Sequence, residues 1–70
     1  MDSISTNLKN IRLKKGFSQS KLSQLSGIGR TTISDIENDR HSNTTIFILC
    51  RLCKALEVTP NELIPEEMYR

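Results

Sequence analysis

Residues 18–37 read SQSKLSQLSGIGRTTISDIE, and this stretch decides the fold. Ser18 can cap a short first helix, in which Leu22 and Leu25 lie three residues apart on one face. Gly27 follows this helix and gives the backbone the freedom that a sharp corner between two helices needs. The first half of the stretch therefore predicts a short amphipathic helix that ends in a tight turn.

The second half of the stretch predicts another short helix, from about Arg30 to Glu37. Ile33 and Ile36 face inward at helical spacing, and polar side chains occupy the outer face. Two short helices joined by a tight glycine turn form the plan of a helix-turn-helix, whose second helix enters the DNA major groove.

Matching residues extend well beyond this stretch, from about Ile4 to Ile64. They are Leu8-x-x-Ile11-Arg12, Gly16-Phe17-Ser18-Gln19, Leu22-Ser23, Gly27-Ile28, Ile33-x-x-Ile36-Glu37, Leu49-x-x-Leu52-Cys53-x-Ala55-Leu56 and Val58-Thr59-Pro60-x-Glu62-Leu63. In this pattern the chain resembles the Cro/C1 (XRE) helix-turn-helix family of phage and bacterial regulators. The resemblance implies an all-α fold, a compact five-helix bundle that contains the helix-turn-helix, as in lambda-repressor-like DNA-binding domains.

Three further helices are predicted from the residues themselves. Ser3 caps the first, which runs to Lys15 and is closed by Gly16. Thr45 caps the fourth, which reaches Leu56. A capping box over 59–62, with proline at the first helical position, starts a short fifth helix that ends at Pro65.

Length and charge fit one small domain over residues 1–70, with a core of about 3–64 and a tail of 65–70. Residues 1–54 carry nine Lys or Arg and four acids, a net charge of +5, whereas residues 55–70 carry −3. The basic part contains the helix-turn-helix, as a phosphate-facing surface requires, although an ordinary solvated surface could also carry this charge. There is no apolar span or signal peptide, so we expect a cytoplasmic protein.

The candidate DNA contacts lie around the second of the two short helices. Arg30 and Thr31 occupy its exposed start, where Arg30 can bind guanine O6 and N7 and Thr31 can offer its methyl to thymine. Asp35 can accept a hydrogen bond from cytosine N4 or orient Arg30, and Ser34 is a weaker candidate. The resemblance implies that Gln19 binds a phosphate and supports the recognition helix. The full set, in which each position could instead be a solvated side chain, is Gln19, Lys21, Arg30, Thr31, Thr32, Ser34, Asp35, Asn38, Arg40 and Asn43.

The resemblance implies an ion pair between two charged residues, and a third charged residue departs from the family pattern. The family pairs an arginine of the first helix with a glutamate that ends the third, here Arg12 and Glu37. We interpret this pair as structural, the alternative being two unrelated surface charges. Asp39 stands where the family usually has a glycine with left-handed backbone, so the loop either keeps that conformation or takes another path.

The fourth predicted helix is apolar nearly all round. Ile46, Leu49, Cys53 and Leu56 are expected to fill its inward stripe, which leaves Phe47 and Ile48 in excess. Family members commonly dimerise through their fourth and fifth helices, so the excess indicates a homodimer surface. The alternative is that a loop or the tail covers Phe47 within the monomer. The candidate dimer residues are Phe47, Ile48, Ile64, Met68 and Tyr69.

Metal, cofactor and enzyme interpretations find little support. Cys50 and Cys53 form a lone CxxC, but a zinc site needs about four ligands and the only histidine is His41. We expect the cysteines to pack in the core, with a redox-sensitive thiol as an alternative. No catalytic set of residues and no phosphate-binding glycine loop is present, so we expect neither an enzyme nor a cofactor.

The sequence thus predicts a sequence-specific regulator of transcription that binds double-stranded DNA. It would act as a homodimer on a palindromic operator, through a recognition helix at about 30–37. A phage repressor, a controller of a restriction-modification operon and an antitoxin are all compatible with the family. The alternative from another class is a protein-interaction module that keeps the fold.

Overall fold

The structure is a computed structural model that describes residues 4–40 and 45–64. These residues form five helices and no strand: α1 (Ile4–Lys14), α2 (Gln19–Ser26), α3 (Arg30–Glu37), α4 (Ile46–Leu56) and α5 (Pro60–Leu63). The all-α, five-helix fold predicted from the sequence is confirmed. None of the described helices is long and apolar enough to cross a membrane. The predicted cap at Ser3 and stop at Pro65 lie outside the described residues.

Side-chain caps start three of the helices where the sequence placed them. The Ser18 hydroxyl oxygen accepts a hydrogen bond from the Lys21 backbone N–H at 3.0 Å, and the Thr45 hydroxyl oxygen accepts one from Ile48 at 3.2 Å. At α5 the Glu62 carboxylate accepts from the Thr59 backbone N–H at 2.9 Å. These bonds satisfy donors that a helix start otherwise leaves unpaired, so they fix where α2, α4 and α5 begin.

Three helices end in the same two-bond closure around a left-handed residue. That residue is Gly16 after α1, Asp39 after α3 and Glu57 after α4, with φ of 77°, 57° and 58°. At α3 the backbone N–H of Arg40 donates to the carbonyl of Asp35 at 2.7 Å, and that of Asp39 donates to Ile36 at 3.1 Å. Asp39 therefore keeps the left-handed path without a glycine.

One apolar cluster holds the helices together. Each helix contributes at least one side chain to it, and α2 packs between α3 and α4 while α1 packs on α3 and α5. The fully buried members are Leu8, Leu22, Ile33, Leu52, Leu56 and Leu63, and Ile28, Ile36, Leu49 and Cys53 complete the cluster. A core of leucine and isoleucine thus fixes the position of the two central helices.

Two apolar residues expected to face inward are exposed. Leu25 is 48% exposed, because the residue one turn after Leu22 is Ser26, which takes the inward place and is buried. Ile46 is 67% exposed, because it is the first residue of α4 and its side chain points back past the end of the core. Ile48 packs partly against the core instead.

Candidate nucleic-acid interface

The turn between α2 and α3 is fixed by hydrogen bonds on both sides of Gly27. Gly27 adopts φ 76° and donates its N–H to the Ser23 carbonyl at 2.9 Å. The Ser23 hydroxyl donates to the Ile28 carbonyl at 2.7 Å, and the Ile28 N–H donates to the Ser26 hydroxyl oxygen at 3.1 Å. Ile28 itself is buried in the core. The angle between the two helices is therefore set by the turn's own bonds and by packing.

Arg51 of α4 reaches this turn from the other side. Its Nη1 donates to the Ser26 carbonyl at 3.3 Å, at the negative end of the α2 dipole. A Cβ added at Gly27 would lie 3.0 Å from the same nitrogen. Glycine thus suits this position chiefly through its left-handed backbone, and a Cβ here would in addition force the end of the Arg51 side chain to shift by a few tenths of an ångström.

A buried ion pair lies beneath the helix-turn-helix. Arg12 Nε and Nη2 donate to the two carboxylate oxygens of Glu37 at 2.6 and 2.9 Å, and the side chains are only 9% and 3% exposed. Arg12 Nη1 also donates to the Phe17 carbonyl at 2.8 Å. The hydrogen bond to Glu37 raises the pKa of Arg12, outweighing the burial that acts in the opposite direction. The guanidinium therefore stays charged and joins α1 to the last residue of α3.

Gln19 connects the start of α2 to the same carboxylate. Its Nε2 donates to Glu37 Oε1 at 3.2 Å, and the side chain is half-buried. A primary amide has two N–H donors, so one remains for a group outside the protein. Glu37 thus collects donors from α1 and α2, and it fixes α3 against both helices.

The outer face of α3 presents the polar side chains that the sequence assigned to DNA. Arg30 and Thr31 are exposed in its first turn, and Thr32, Ser34 and Asp35 are half-buried. Arg30 and Asp35 form no ion pair among the described residues, because five positions on a helix separate their side chains by about 140°. The hypothesis that Asp35 orients Arg30 therefore has no support in this structure, and its acceptor role toward cytosine stays a prediction.

The loop after α3 differs from expectation at Asn38. Its side-chain nitrogen donates to the Ser34 carbonyl at 2.9 Å and to the Ser34 hydroxyl at 3.3 Å. These donors close the end of α3, so a phosphate contact by Asn38 would require breaking both bonds. Lys21 and Arg40 are exposed, whereas Asn43 lies outside the described residues.

The residues predicted to form a dimer surface separate into two groups. Phe47 is 61% exposed, whereas Ile48 and Ile64 are half-buried against the core. Only part of Ile48 and Ile64 is thus left for a partner. Met68 and Tyr69 lie outside the described residues. The guanidinium of Arg51 stacks over the Phe47 ring at 4.9 Å, a contact that joins the exposed face of α4 to the turn.

Sequence reasoning missed Ser26 and Arg51 as parts of this arrangement. A serine just before a glycine is a turn signal that could have pointed to Ser26, because its hydroxyl can bond to the nearby backbone. Nothing in the sequence links Arg51 to a carbonyl 25 residues away.

Comparison with known proteins agrees with this geometry. A family model described as helix-turn-helix matches residues 8–63. The HTH-type transcriptional regulator SinR of Bacillus subtilis (strain 168) is 30% identical over 64 residues, which cover 91% of this chain and 58% of SinR. The chain thus spans little more than half the length of this curated relative.

Solved structures of similar proteins share the fold. The restriction-modification controller protein C.AhdI from Aeromonas hydrophila superposes with a TM-score of 0.83 at 31% identity, covering 87% of this chain and 91% of that one. SinR, a master regulator for biofilm formation, has been solved in complex with DNA. That structure superposes with a TM-score of 0.81 at 30% identity, covering 86% of this chain and 95% of that one. The complex of SinR with the SinI protein superposes with a TM-score of 0.84 at 30% identity, covering 91% of this chain and 62% of that one.

Proposed function

This chain belongs to the Cro/C1-type helix-turn-helix family, and from that membership we propose that it is a sequence-specific DNA-binding regulator of transcription. The proposal rests on the hydrogen bonds that Arg12 and Gln19 donate to the Glu37 carboxylate, which we call the Glu37 joint. It fixes the start of α2 and the end of α3 on one carboxylate, and α3 keeps Arg30 and Thr31 exposed. SinR, which has been solved bound to DNA, has the same fold.

In the proposed complex α3 enters the major groove with its first turn closest to the bases. Arg30 donates to guanine O6 and N7, the methyl of Thr31 packs against a thymine methyl, and Asp35 accepts from cytosine N4. Each good bidentate contact discriminates by about 1–3 kcal/mol. These three side chains would therefore carry the sequence preference.

Phosphate contacts would position α3 without reading the sequence. Gln19 has a free amide N–H at the start of α2, and Lys21 and Arg40 are exposed cations on either side of α3 in the sequence. Thr32 and Ser34 can add hydroxyl donors. Because the joint and the turn are already ordered, binding requires little rearrangement of the protein backbone.

We further propose a homodimer acting as a repressor or operon controller in the cytoplasm, where the chromosome lies. The exposed Ile46 and Phe47 at the start of α4 support a partner surface. In a two-fold dimer both recognition helices meet the same face of DNA, so half-sites would be centred about 10 bp apart.

Selection of the full chain on random duplexes tests this function. We expect an enriched palindrome in which each half-site contains a guanine whose replacement weakens binding by about ten-fold or more. Enrichment of a single half-site would support sequence-specific DNA binding and contradict the proposed homodimer. No enrichment, together with duplex binding that is independent of sequence, would overturn the proposal.

A second candidate function is a protein-interaction module. It is favoured by the exposed apolar start of α4, and SinR has also been solved with a protein, SinI. Binding to random duplex at increasing salt separates the two functions. A DNA-binding protein loses affinity steeply with salt because counterions are released, whereas an interaction module shows little duplex binding at any salt concentration.

A further inference from the structure

A groove between α2 and α4 is not used by the proposed DNA interface. It has a volume of about 560 Å³. None of the residues that line it belongs to the DNA-binding set. Its lining residues are Leu25, Ser26, Arg51, Lys54, Ala55 and Glu57. The exposed side chain of Leu25 gives the groove an apolar wall that no described residue covers.

The groove continues along one face of α4. Three residues follow Phe47 on the same side of the helix, at four, seven and eight positions after it: Arg51, Lys54 and Ala55. Arg51 stacks on the Phe47 ring and donates to the Ser26 carbonyl, so it bridges the two parts. We call this continuous surface, formed by Leu25, Phe47, Arg51, Lys54 and Ala55, the α2–α4 strip.

The charge of the α2–α4 strip decides what can cover it. Arg51 and Lys54 form no ion pair among the described residues, and Glu57 is the only acid among the residues that line the groove. Packing the strip against its own copy would bring four cations together around the apolar contact. Like charges at an interface are repulsive, so the strip fits an occupant that combines carboxylates with apolar side chains.

Residues 65–70 of this chain, PEEMYR, have that chemistry. Glu66 and Glu67 are followed directly by Met68 and Tyr69. Resting on the proposed homodimer, we propose that this segment of one copy docks on the α2–α4 strip of the other. The two carboxylates face Arg51 and Lys54, and the Met68 and Tyr69 side chains cover Leu25 and Ala55.

The end of α5 lies beside α1, and no α5 residue lines the groove. The Leu63 carbonyl accepts a hydrogen bond from the Asn7 side chain at 3.0 Å, so the chain leaves α5 beside α1. The groove is lined by α2, α4 and Glu57, at the opposite end of the Val58–Leu63 segment. In a two-fold dimer each copy gives its segment and receives the other, which makes two equal contacts.

Charge reversal in the full-length chain tests the pairing. Lys54→Glu and Glu67→Lys should each weaken the dimer, measured by sedimentation equilibrium, by about ten-fold, since each removes one attraction in both contacts. Combining the two substitutions should restore the dimer to within about three-fold of the original. Lys9→Glu, on an exposed part of α1, is the matched control and should change little. Circular dichroism checks that each variant is folded.

Isotope-filtered NMR on a mixture of labelled and unlabelled full-length chains locates the segment directly. We expect intermolecular contacts between the Met68 methyl and the Leu25 or Ala55 methyls. A dimer without these contacts, or the same contacts seen only within one chain, would overturn this inference and leave the proposed homodimer intact. A chain that is monomeric at every concentration would overturn both, while DNA reading by α3 would still be tested separately by selection.

Discussion

Arg12 and Glu37 form a two-bond ion pair that links α1 to the final residue of α3, with Arg12 Nε 2.6 Å from Glu37 Oε2. The pair is buried beneath the helix-turn-helix, and Gln19 adds a third donor to the carboxylate. In such a place the pair itself adds little net stability, but either charge left alone is costly. The pair therefore specifies where α3 sits.

Arg12→Ala should lower the free energy of unfolding by about 3–5 kcal/mol, because Glu37 would keep a buried charge without its partner. Urea denaturation followed by circular dichroism measures this loss. Arg40→Ala, at an exposed cation, is the control and should change stability by less than about 0.5 kcal/mol. The double change of Arg12 and Glu37 to methionine should recover most of the loss. A single substitution that costs less than about 1 kcal/mol would contradict the buried role.

The three glycines should respond differently to alanine. Gly27→Ala forces a left-handed alanine and places its Cβ 3.0 Å from Arg51, so it should destabilise most. Gly16→Ala has the same backbone strain, but no atom lies within 4 Å of the added Cβ, so it should lower the free energy of unfolding by about 1–2 kcal/mol. Gly29→Ala has φ −58° and no near contact, and should be close to neutral. Thermal or urea denaturation of the three variants gives the order, and an equal loss at Gly27 and Gly29 would refute it.

The sequence predicted the helices well because their signals are local. Ser18, Thr45 and Glu62 form the caps expected of them, since a cap depends on residues only three positions apart. The inward and outward faces were harder to predict near helix ends. Leu25 follows Leu22 at helical spacing, but Ser26 takes the inward place, and Ile46 lies beyond the end of the core. The Arg51 contact with the turn depends on tertiary packing over 25 residues, which no local pattern encodes.

The two cysteines should differ in reactivity. Cys53 is buried in the core as expected, whereas Cys50 is exposed, so the expectation that both cysteines pack in the core is wrong for Cys50. Burial raises the pKa of the Cys53 thiol, and the nearby Cys50 and Glu62 add to this rise. Since the thiolate is the nucleophile, alkylation with iodoacetamide at pH 8 should modify Cys50 far faster than Cys53. Mass spectrometry over time measures both rates, and equal rates would show that Cys53 is accessible.

The raised pKa of Cys53 also predicts a pH dependence. The unfolded thiol loses its proton at lower pH than the folded one, so the contribution to stability is intact below the ordinary thiol pKa of about 8.5. It is lost as the pH rises through the raised pKa. Cys53→Ala should remove this alkaline loss, and Cys50→Ala should reduce it only in part, because burial is the larger cause of the raised pKa. Urea midpoints between pH 7 and pH 10 provide the comparison.

Duplex affinity of Arg30→Ala, measured beside that of Lys21→Ala, tests most directly whether α3 reads DNA through Arg30. On the selected operator, Arg30→Ala should cost about 1–3 kcal/mol and relax preference at one base pair in each half-site. Lys21→Ala should weaken all duplexes alike and reduce the slope of log affinity against log salt by about one. If Arg30→Ala instead loses affinity equally for every duplex, Arg30 contacts phosphate and does not read a base.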